Sequence, residues 1–354
     1  MRAGTPPGSD VKRRWMMSAS ATRVGAVSVG RRATTTRRRS RASTVARAST
    51  GSTPVVVVTG ANTGLGLETA KAAVRDGNVV VMAVRDVSRG ERARTQILET
   101  YPDARVEVEA CDLADFASVR AFARGFAERH ARLDVLVNNS GVMALPERTV
   151  TVDGHEKQMQ VNHSGHFLLT SLLLETMMRT KRDDGAKKRV VNLSSVAHNL
   201  GAWNFHDFDS EEGLWGYPLL GWVTYGRTKM ANILFTFELD RRLKAAGVDD
   251  VSVNAVHPGV VDTELNRSLT LDFYPQMKRM GRLITPEQGA RGQIALAFDP
   301  KYEDVSGAYV AEQSDAGKPG VHEIAKANEF AYNREAWARL WKDTVKITGA
   351  EWTV

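Results

Sequence analysis

Val55-Val56-Val57-Val58-Thr59-Gly60-Ala61-Asn62-Thr63-Gly64-Leu65-Gly66 passes from five β-branched residues straight into a glycine-rich turn. Branching at Cβ stiffens the side chain and favours the pleated backbone of a strand. An unbroken apolar run, without polar alternation, implies a strand buried on both faces. Gly60, Gly64 and Gly66 then permit a tight turn and close approach of a phosphate to the backbone. Asn62, Thr63 and Leu65 fill out that turn. A helix is expected from the turn to about Arg75, and its first N–H groups would face an anion. The strand-turn-helix context marks the turn as a dinucleotide-phosphate site.

On either side of the turn the pattern repeats. Further strands are expected at Val79–Val84, Val106–Glu109, Leu133–Val137, Arg189–Leu193, Val251–Val256 and Ala308–Ala311. Helices are expected over residues 88–100, 115–130, 155–179, 225–246 and 287–298. Such βα alternation predicts a parallel sheet of about seven strands with helices on both faces. No internal repeat or linker divides residues 53–354, so one domain is expected. Residues 197–222, with Trp203, Trp215 and Trp222, and residues 264–285, with Phe273, Tyr274 and Met277, break the rhythm. Both follow carboxyl ends of strands, where open α/β sheets bind ligands. They are the expected walls of a substrate pocket.

The 354 residues are 42% hydrophobic and 25% charged, ordinary for a globular protein. The one cysteine, Cys111, excludes an internal disulfide and a cysteine-built metal site. No apolar run approaches the roughly 20 residues that span a bilayer. Residues 1–50 hold eleven Arg, one Lys and one acid, a surplus of +11; the net charge of +7 therefore leaves −4 on the rest. Nucleic-acid binding loses its electrostatic support. Residues 1–52, rich in Arg, Ser and Thr and without an apolar core, are expected to be a disordered organelle transit peptide. The composition favours a plastid, with the mitochondrion as the alternative.

Tyr225 and Lys229 stand four residues apart, which on a helix puts them on one face. A phenol with a pKa of about 10 yields its proton poorly near neutrality. A nearby ammonium group is expected to lower that value and let Tyr225 donate and accept a proton. At the tip of the second strand stand Val84, Arg85 and Asp86. Guanidinium matches phosphate geometry, so Arg85 points to the 2′-phosphate of NADP(H). An inward Asp86 would instead favour NAD. Asp112, with Leu113, ends the third strand and is offered to the adenine, or to the start of the next helix. Asn138-Asn139-Ser140-Gly141 ends the fourth, with amides for exposed backbone and room at Gly141. His163, His166, His198 and His257 lack metal-ligand spacing and are expected to make local hydrogen bonds. No metal is expected.

With these motifs in order, the chain resembles the short-chain dehydrogenase/reductases over the whole of residues 54–354. The resemblance rests on Thr59-Gly60-x3-Gly64-x-Gly66, Asn138-Asn139-Ser140-Gly141, Ser195, the Tyr225/Lys229 pair and Pro258-Gly259. Ser140 departs from the alanine usual there. Within the family it resembles the retinol dehydrogenase branch, through Asn162-His163-Ser164-Gly165-His166-Phe167, Val191 to His198, Thr228 to Phe235 and His257 to Thr263. The resemblance implies a single-domain Rossmann-type fold, doubly wound about its parallel sheet. It also implies a catalytic tetrad of Asn162, Ser195, Tyr225 and Lys229. Ser195 would bond the substrate carbonyl and Tyr225 would deliver the proton. Lys229 would hold the nicotinamide ribose, and Asn162 would position a relay water. Asn139, Gly141, Pro258, Gly259, Val261 and Thr263 would border the cofactor.

The leading expectation is transfer of hydride between NADPH and an apolar carbonyl or alcohol. Two others belong to plastid relatives. One is light-dependent protochlorophyllide reduction, suggested by Gly64 to Lys71 and opposed by the lack of a second cysteine. The other is an NADPH-responsive subunit of the inner-envelope import machinery. The expected partner is a small apolar substrate, without nucleic acid or a transmembrane segment. Peripheral membrane contact and a homo-oligomer are left open.

Overall fold

The computed structural model of the chain describes residues 53–202, 208–211, 217–263, 265, 279, 283–313 and 317–354. The expected transit peptide, Trp203, Trp215, Phe273, Tyr274 and Met277 lie outside the described residues.

The chain runs β1 (Val55–Thr59), α1 (Gly64–Arg75), β2 (Val79–Val84), α2 (Val87–Thr100), β3 (Val106–Ala110), α3 (Phe116–Arg129) and β4 (Val135–Asn138). The next helix, α4, spans residues 157–179. It is α-helical over Lys157–Met159 and Gly165–Arg179, with a π-helical turn at Gln160–Ser164 between them. Then come β5 (Lys188–Leu193), the one-turn α5 (His198–Gly201), α6 (Tyr217–Ala245) and β6 (Val251–His257). The chain closes with α7 (Pro286–Phe298), β7 (Ala308–Gln313), β8 (Lys318–Ile324) and α8 (Arg334–Thr348).

The strands form one sheet in the order β3-β2-β1-β4-β5-β6-β7-β8. All neighbours are parallel except β7 and β8, which pair antiparallel with a register shift at Glu312/Gln313. The architecture is the expected single Rossmann-type α/β domain, with eight strands instead of about seven. The order reverses between β1 and β4, which opens a crevice at the carboxyl ends of those strands.

Alternate residues of the central strands face opposite layers. Val55, Val57, Val79 and Val81 pack with Phe122, Phe126, Phe167 and Phe235. Val56, Val58, Val80 and Met82 pack with Ala70, Ala73, Ile97 and Leu296 on the other side. Each valine of β1 is buried, as expected of a two-sided strand.

Three local expectations are corrected. The helix expected over residues 155–179 is broken by the π turn. The helix expected from Tyr225 starts at Tyr217, so Tyr225 sits well inside α6. Asp112 does not start α3: Asp115 is its N-cap, accepting from Ala117 N at 2.8 Å, whereas Asp112 accepts from Ala114 N at 2.9 Å. Among the described residues no helix is long and apolar enough to cross a membrane.

Candidate active site

The glycine turn is shaped for close backbone packing. Gly60 and Gly64 have φ of +64° and +54°, a left-handed conformation that side chains resist. A Cβ on Gly66 would lie 2.4 Å from Gly60 O and 2.6 Å from Asn139 Nδ2, so the first turn of α1 rests directly on the strand ends. Thr63 caps α1 without a side-chain hydrogen bond, which leaves first-turn N–H groups for an anion. Thr263, from beyond β6, reaches this turn: its Cγ2 lies 3.5 Å from where a Cβ on Gly64 would be. The backbone at Val261 is fixed by a parallel bridge to Ile284. Gly259 has φ +88°, and a Cβ there would meet Ile284 at 2.7 Å.

Asn139 holds two strand ends together. Its Nδ2 donates to Thr59 O at 2.8 Å, and its N–H to Thr59 Oγ1 at 2.9 Å. Gln293 of α7, fully buried, donates to Leu65 O at 3.2 Å and to Asn139 Oδ1 at 3.3 Å. Gln293 was not singled out in the sequence, and Thr59 was named only as the first residue of the glycine motif; packing reveals the part each plays here. Gly141 leaves space for protein instead of ligand alone: a Cβ there would lie 3.1 Å from Asn162 Oδ1 and 3.7 Å from Lys229 Nζ.

At the tip of β2, Arg85 is exposed, while Asp86 is the N-cap of α2 and accepts from Arg89 N at 3.0 Å. The Asp86 carboxylate is thus engaged by its own helix. Cys111 is buried, and burial pushes its thiol up to about 12. Such a thiol is inert near neutrality.

The four tetrad residues come from different elements. Asn162 lies in the π turn of α4, a feature often found at functional sites. Its Oδ1 accepts from Val142 N at 2.8 Å, and its Nδ2 donates to Val142 O and to Thr228 Oγ1, both at 2.9 Å. Its main-chain carbonyl accepts from His166 Nδ1 at 3.1 Å, and His166 Nε2 meets Thr59 Oγ1 at 2.8 Å. Burial pushes His166 down to about 3, so this bridge is neutral.

Ser195 follows β5, and its hydroxyl hydrogen-bonds Tyr225. The neighbouring Ser194 instead donates its hydroxyl to Lys229 O at 2.8 Å. Lys229 Nζ donates to Leu193 O at 3.1 Å and lies 5.5 Å from the centre of the Tyr225 ring.

The expected lowering of the phenol is not what the site shows. Burial pushes Tyr225 up to about 12, with the Ser195 hydrogen bond acting against it. Burial also drives Lys229 down to about 7. Both groups have lost water, and desolvation disfavours each charged form. Near neutrality the phenol keeps its proton, and much of the lysine is neutral and exerts no field on it.

Around the phenol the walls are apolar. Met143, Ala144 and Tyr225 form a buried cluster against which Ala197, Trp222 and Leu265 pack. Trp222 meets Tyr225 edge-on at 6.2 Å. Trp222 is the one expected pocket tryptophan within the described residues.

The family model for short chain dehydrogenase matches residues 54–206. Retinol dehydrogenase 12 of Bos taurus is 41% identical over 303 residues, covering 84% of this chain and 87% of its own length. Retinol dehydrogenase 11 of Homo sapiens is 41% identical over 295 residues, covering 83% and 86%. Among solved structures, the Pseudomonas aeruginosa RhlG/NADP active-site complex superposes with a TM-score of 0.57 at 26% identity. It covers 73% of this chain and 94% of its own.

Proposed function

We propose that this chain, which belongs to the short-chain dehydrogenase/reductase family and to its retinol dehydrogenase-like branch, transfers hydride between NADPH and the carbonyl of an apolar substrate. The observation that carries this reading is the meeting of Ser195, Tyr225, Lys229 and Asn162 beneath a wall of Met143, Ala144, Ala197, Trp222 and Leu265. A buried phenol beside a serine hydroxyl is a proton donor aimed at an oxygen, and the apolar wall selects the rest of the substrate.

Ser195 holds the substrate oxygen through its hydroxyl. Tyr225, whose pKa of about 12 keeps it protonated at neutral pH, gives its proton to that oxygen. Lys229 in its cationic form stabilises the phenolate left behind. Asn162 fixes the loop that follows β4 at Val142 and so the floor beside Lys229.

The residues fit a nicotinamide dinucleotide, which supplies the hydride when bound. Gly60, Asn62, Thr63, Gly64, Leu65 and Gly66 would cradle its phosphates at the start of α1. Asp112 and Leu113 would border its adenine, Asn139 and Gly141 its middle, and Pro258, Gly259, Val261 and Thr263 its nicotinamide amide and phosphates. NADPH is favoured because Arg85 is exposed at the tip of β2 while Asp86 is spent on capping α2. Because the relatives are named retinol dehydrogenases, all-trans-retinal is the first carbonyl to try.

The test is NADPH oxidation with retinal and a panel of aldehydes and ketones. Turnover is expected, with Tyr225→Phe slower by about 100-fold or more. Absence of turnover with every carbonyl, from a protein that binds NADPH, would overturn the reading. For residues 1–52 we propose a plastid transit peptide, on their charge and Ser/Thr content. Fused to a fluorescent protein, they are expected to direct it into plastids; delivery to mitochondria or retention in the cytosol would refute this.

A further inference from the structure

We propose that His198 is a positioning residue: it holds the turn that carries Ser195 by tying it to Asn328 in the C-terminal arm, residues 325–354 beyond β8. The proposal rests on the role given above to Ser195.

Ser195 lies between β5 and the single turn of α5, so no long element fixes it. Its hydroxyl oxygen accepts from Ala197 N at 3.2 Å, and its hydrogen bond to Tyr225 completes the alignment. The position of that oxygen therefore depends on the turn as a whole. His198, 3% exposed, closes the turn twice: its N–H donates to Ser195 O at 3.0 Å, and its Nδ1 meets the same oxygen at 2.7 Å. On the far side of the ring, Nε2 accepts from Asn328 N at 3.0 Å, across 130 residues of sequence. Asn328 Nδ2 also donates to Asn199 Oδ1 at 3.2 Å.

One neutral tautomer satisfies both ring contacts, with the proton on Nδ1 and the lone pair on Nε2. Burial lowers the His198 pKa, in keeping with a ring that stays neutral. The edge of the imidazole packs on Tyr309 of β7 at 5.1 Å. From β6, His257 Nδ1 accepts from Val196 N at 3.2 Å. The serine turn is thus gripped by two histidines, and one of them leads to the C-terminal arm. A buried histidine that merely filled the core would not need both nitrogens aimed at these two backbone groups.

Three variants separate the contacts. His198→Phe keeps a ring against Tyr309 and loses both nitrogens. His198→Asn places an amide donor near the Nδ1 position, and His198→Gln places an acceptor near Nε2. With NADPH and all-trans-retinal, His198→Phe is expected to lower kcat on the order of 10- to 100-fold. KM for retinal and affinity for NADPH should each stay within about threefold of the parent. His198→Asn should recover most of the loss, because the bond to Ser195 O is the one that sets the hydroxyl. Amide exchange at Asn328 should accelerate in His198→Phe. Unchanged kcat in His198→Phe would overturn the proposal, as would equal losses in kcat for His198→Phe and His198→Asn. If the parent turns over no carbonyl, the functional reading fails separately. The clamp is then judged by exchange alone: faster exchange at Asn328 and at residues 195–199 supports it, and unchanged exchange refutes it.

Discussion

Lys229 is 3% exposed, and loss of water pushes its ammonium from 10.5 down to about 7. In the unfolded chain the amine regains its ordinary value. Between about 7 and 10.5 the unfolded state therefore binds more protons than the folded one, and stability rises with pH across that window. Below about 7 both states are protonated and the folded state carries the whole cost of a buried cation. Replacing Lys229 by Met removes that cost and the catalytic amine together. We expect Lys229→Met to be inactive yet more stable than the parent at pH 6, by about 0.5–2 kcal/mol. The gap should shrink as pH rises toward 10. Urea titrations at pH 6 and pH 9 check it; a variant less stable at pH 6 would contradict the assignment of a strained lysine. The pairing of Tyr225 with Lys229 was readable from their spacing on one helix face, whereas Ser195 was readable only through the family resemblance. Their charge states were not, because burial is set by α4, α6 and β5 together and no short motif contains it. Gln293 and the long-range bond between His166 and Thr59 were hidden for the same reason: each joins elements far apart in the chain.

Two helices meet at glycine in this fold, and the meeting sets the site. A Cβ on Gly226 of α6 would lie 2.6 Å from Ala197 O and 2.9 Å from Gly201 N, and one on Gly201 of α5 would lie 2.2 Å from Gly226 O. These neighbours are backbone atoms and cannot swing aside. Gly226→Ala must push the Ser195 turn away from Tyr225, and is expected to cost about 1–3 kcal/mol as well as activity. Gly125, inside α3, is the contrast. A Cβ there meets only the guanidinium of Arg129 at 3.2 Å, the far end of a long side chain that pairs with Glu109, and Gly125→Ala should gain roughly 0.5–1 kcal/mol by helix propensity. Thermal melts and turnover of the two variants decide the matter; equal stability would sink the packing argument. At this scale the valine-rich strands were the most readable elements, since each is buried on both faces. β8 was not: Lys318-Pro319-Gly320 is poor strand sequence, tolerated because the strand lies on the sheet edge and pairs only with β7. The π turn left no trace in the pattern of apolar residues. α8 does carry a readable signal, with Asn333 ahead of it and Leu340, Trp341, Thr344 and Thr348 buried at helical spacing.

Across the whole domain, the last helix is joined to the layer that holds the site. Trp341 of α8 packs at 5.0 Å on Phe167 of α4, at 6.1 Å on Phe235 of α6 and at 4.4 Å on Trp352. Arg242 of α6 lies over the same indole at 4.3 Å. Below this cluster His163 Nε2 meets Thr344 Oγ1 at 3.0 Å, and His163 Nδ1 meets Asn232 Oδ1 at 3.3 Å. Asn232 Nδ2 donates at 3.0 Å to Leu193 O, the oxygen that also receives Lys229. The arm thus supports both α4, which carries Asn162, and α6, which carries Tyr225 and Lys229. Trp341→Ala would open a cavity among three aromatic rings and is expected to cost about 3–5 kcal/mol. Lys342→Ala, one residue on and exposed, should stay within roughly 0.5 kcal/mol of the parent. Urea unfolding gives the stability, and turnover at a temperature where the Trp341 variant is still folded gives the coupling. Because α8 touches the helices that hold the tetrad, activity per folded molecule should fall in Trp341→Ala and not in Lys342→Ala. If Trp341→Ala loses stability and keeps full activity per folded molecule, the arm is a structural cover alone and the polar chain through His163 and Asn232 does not reach the lysine.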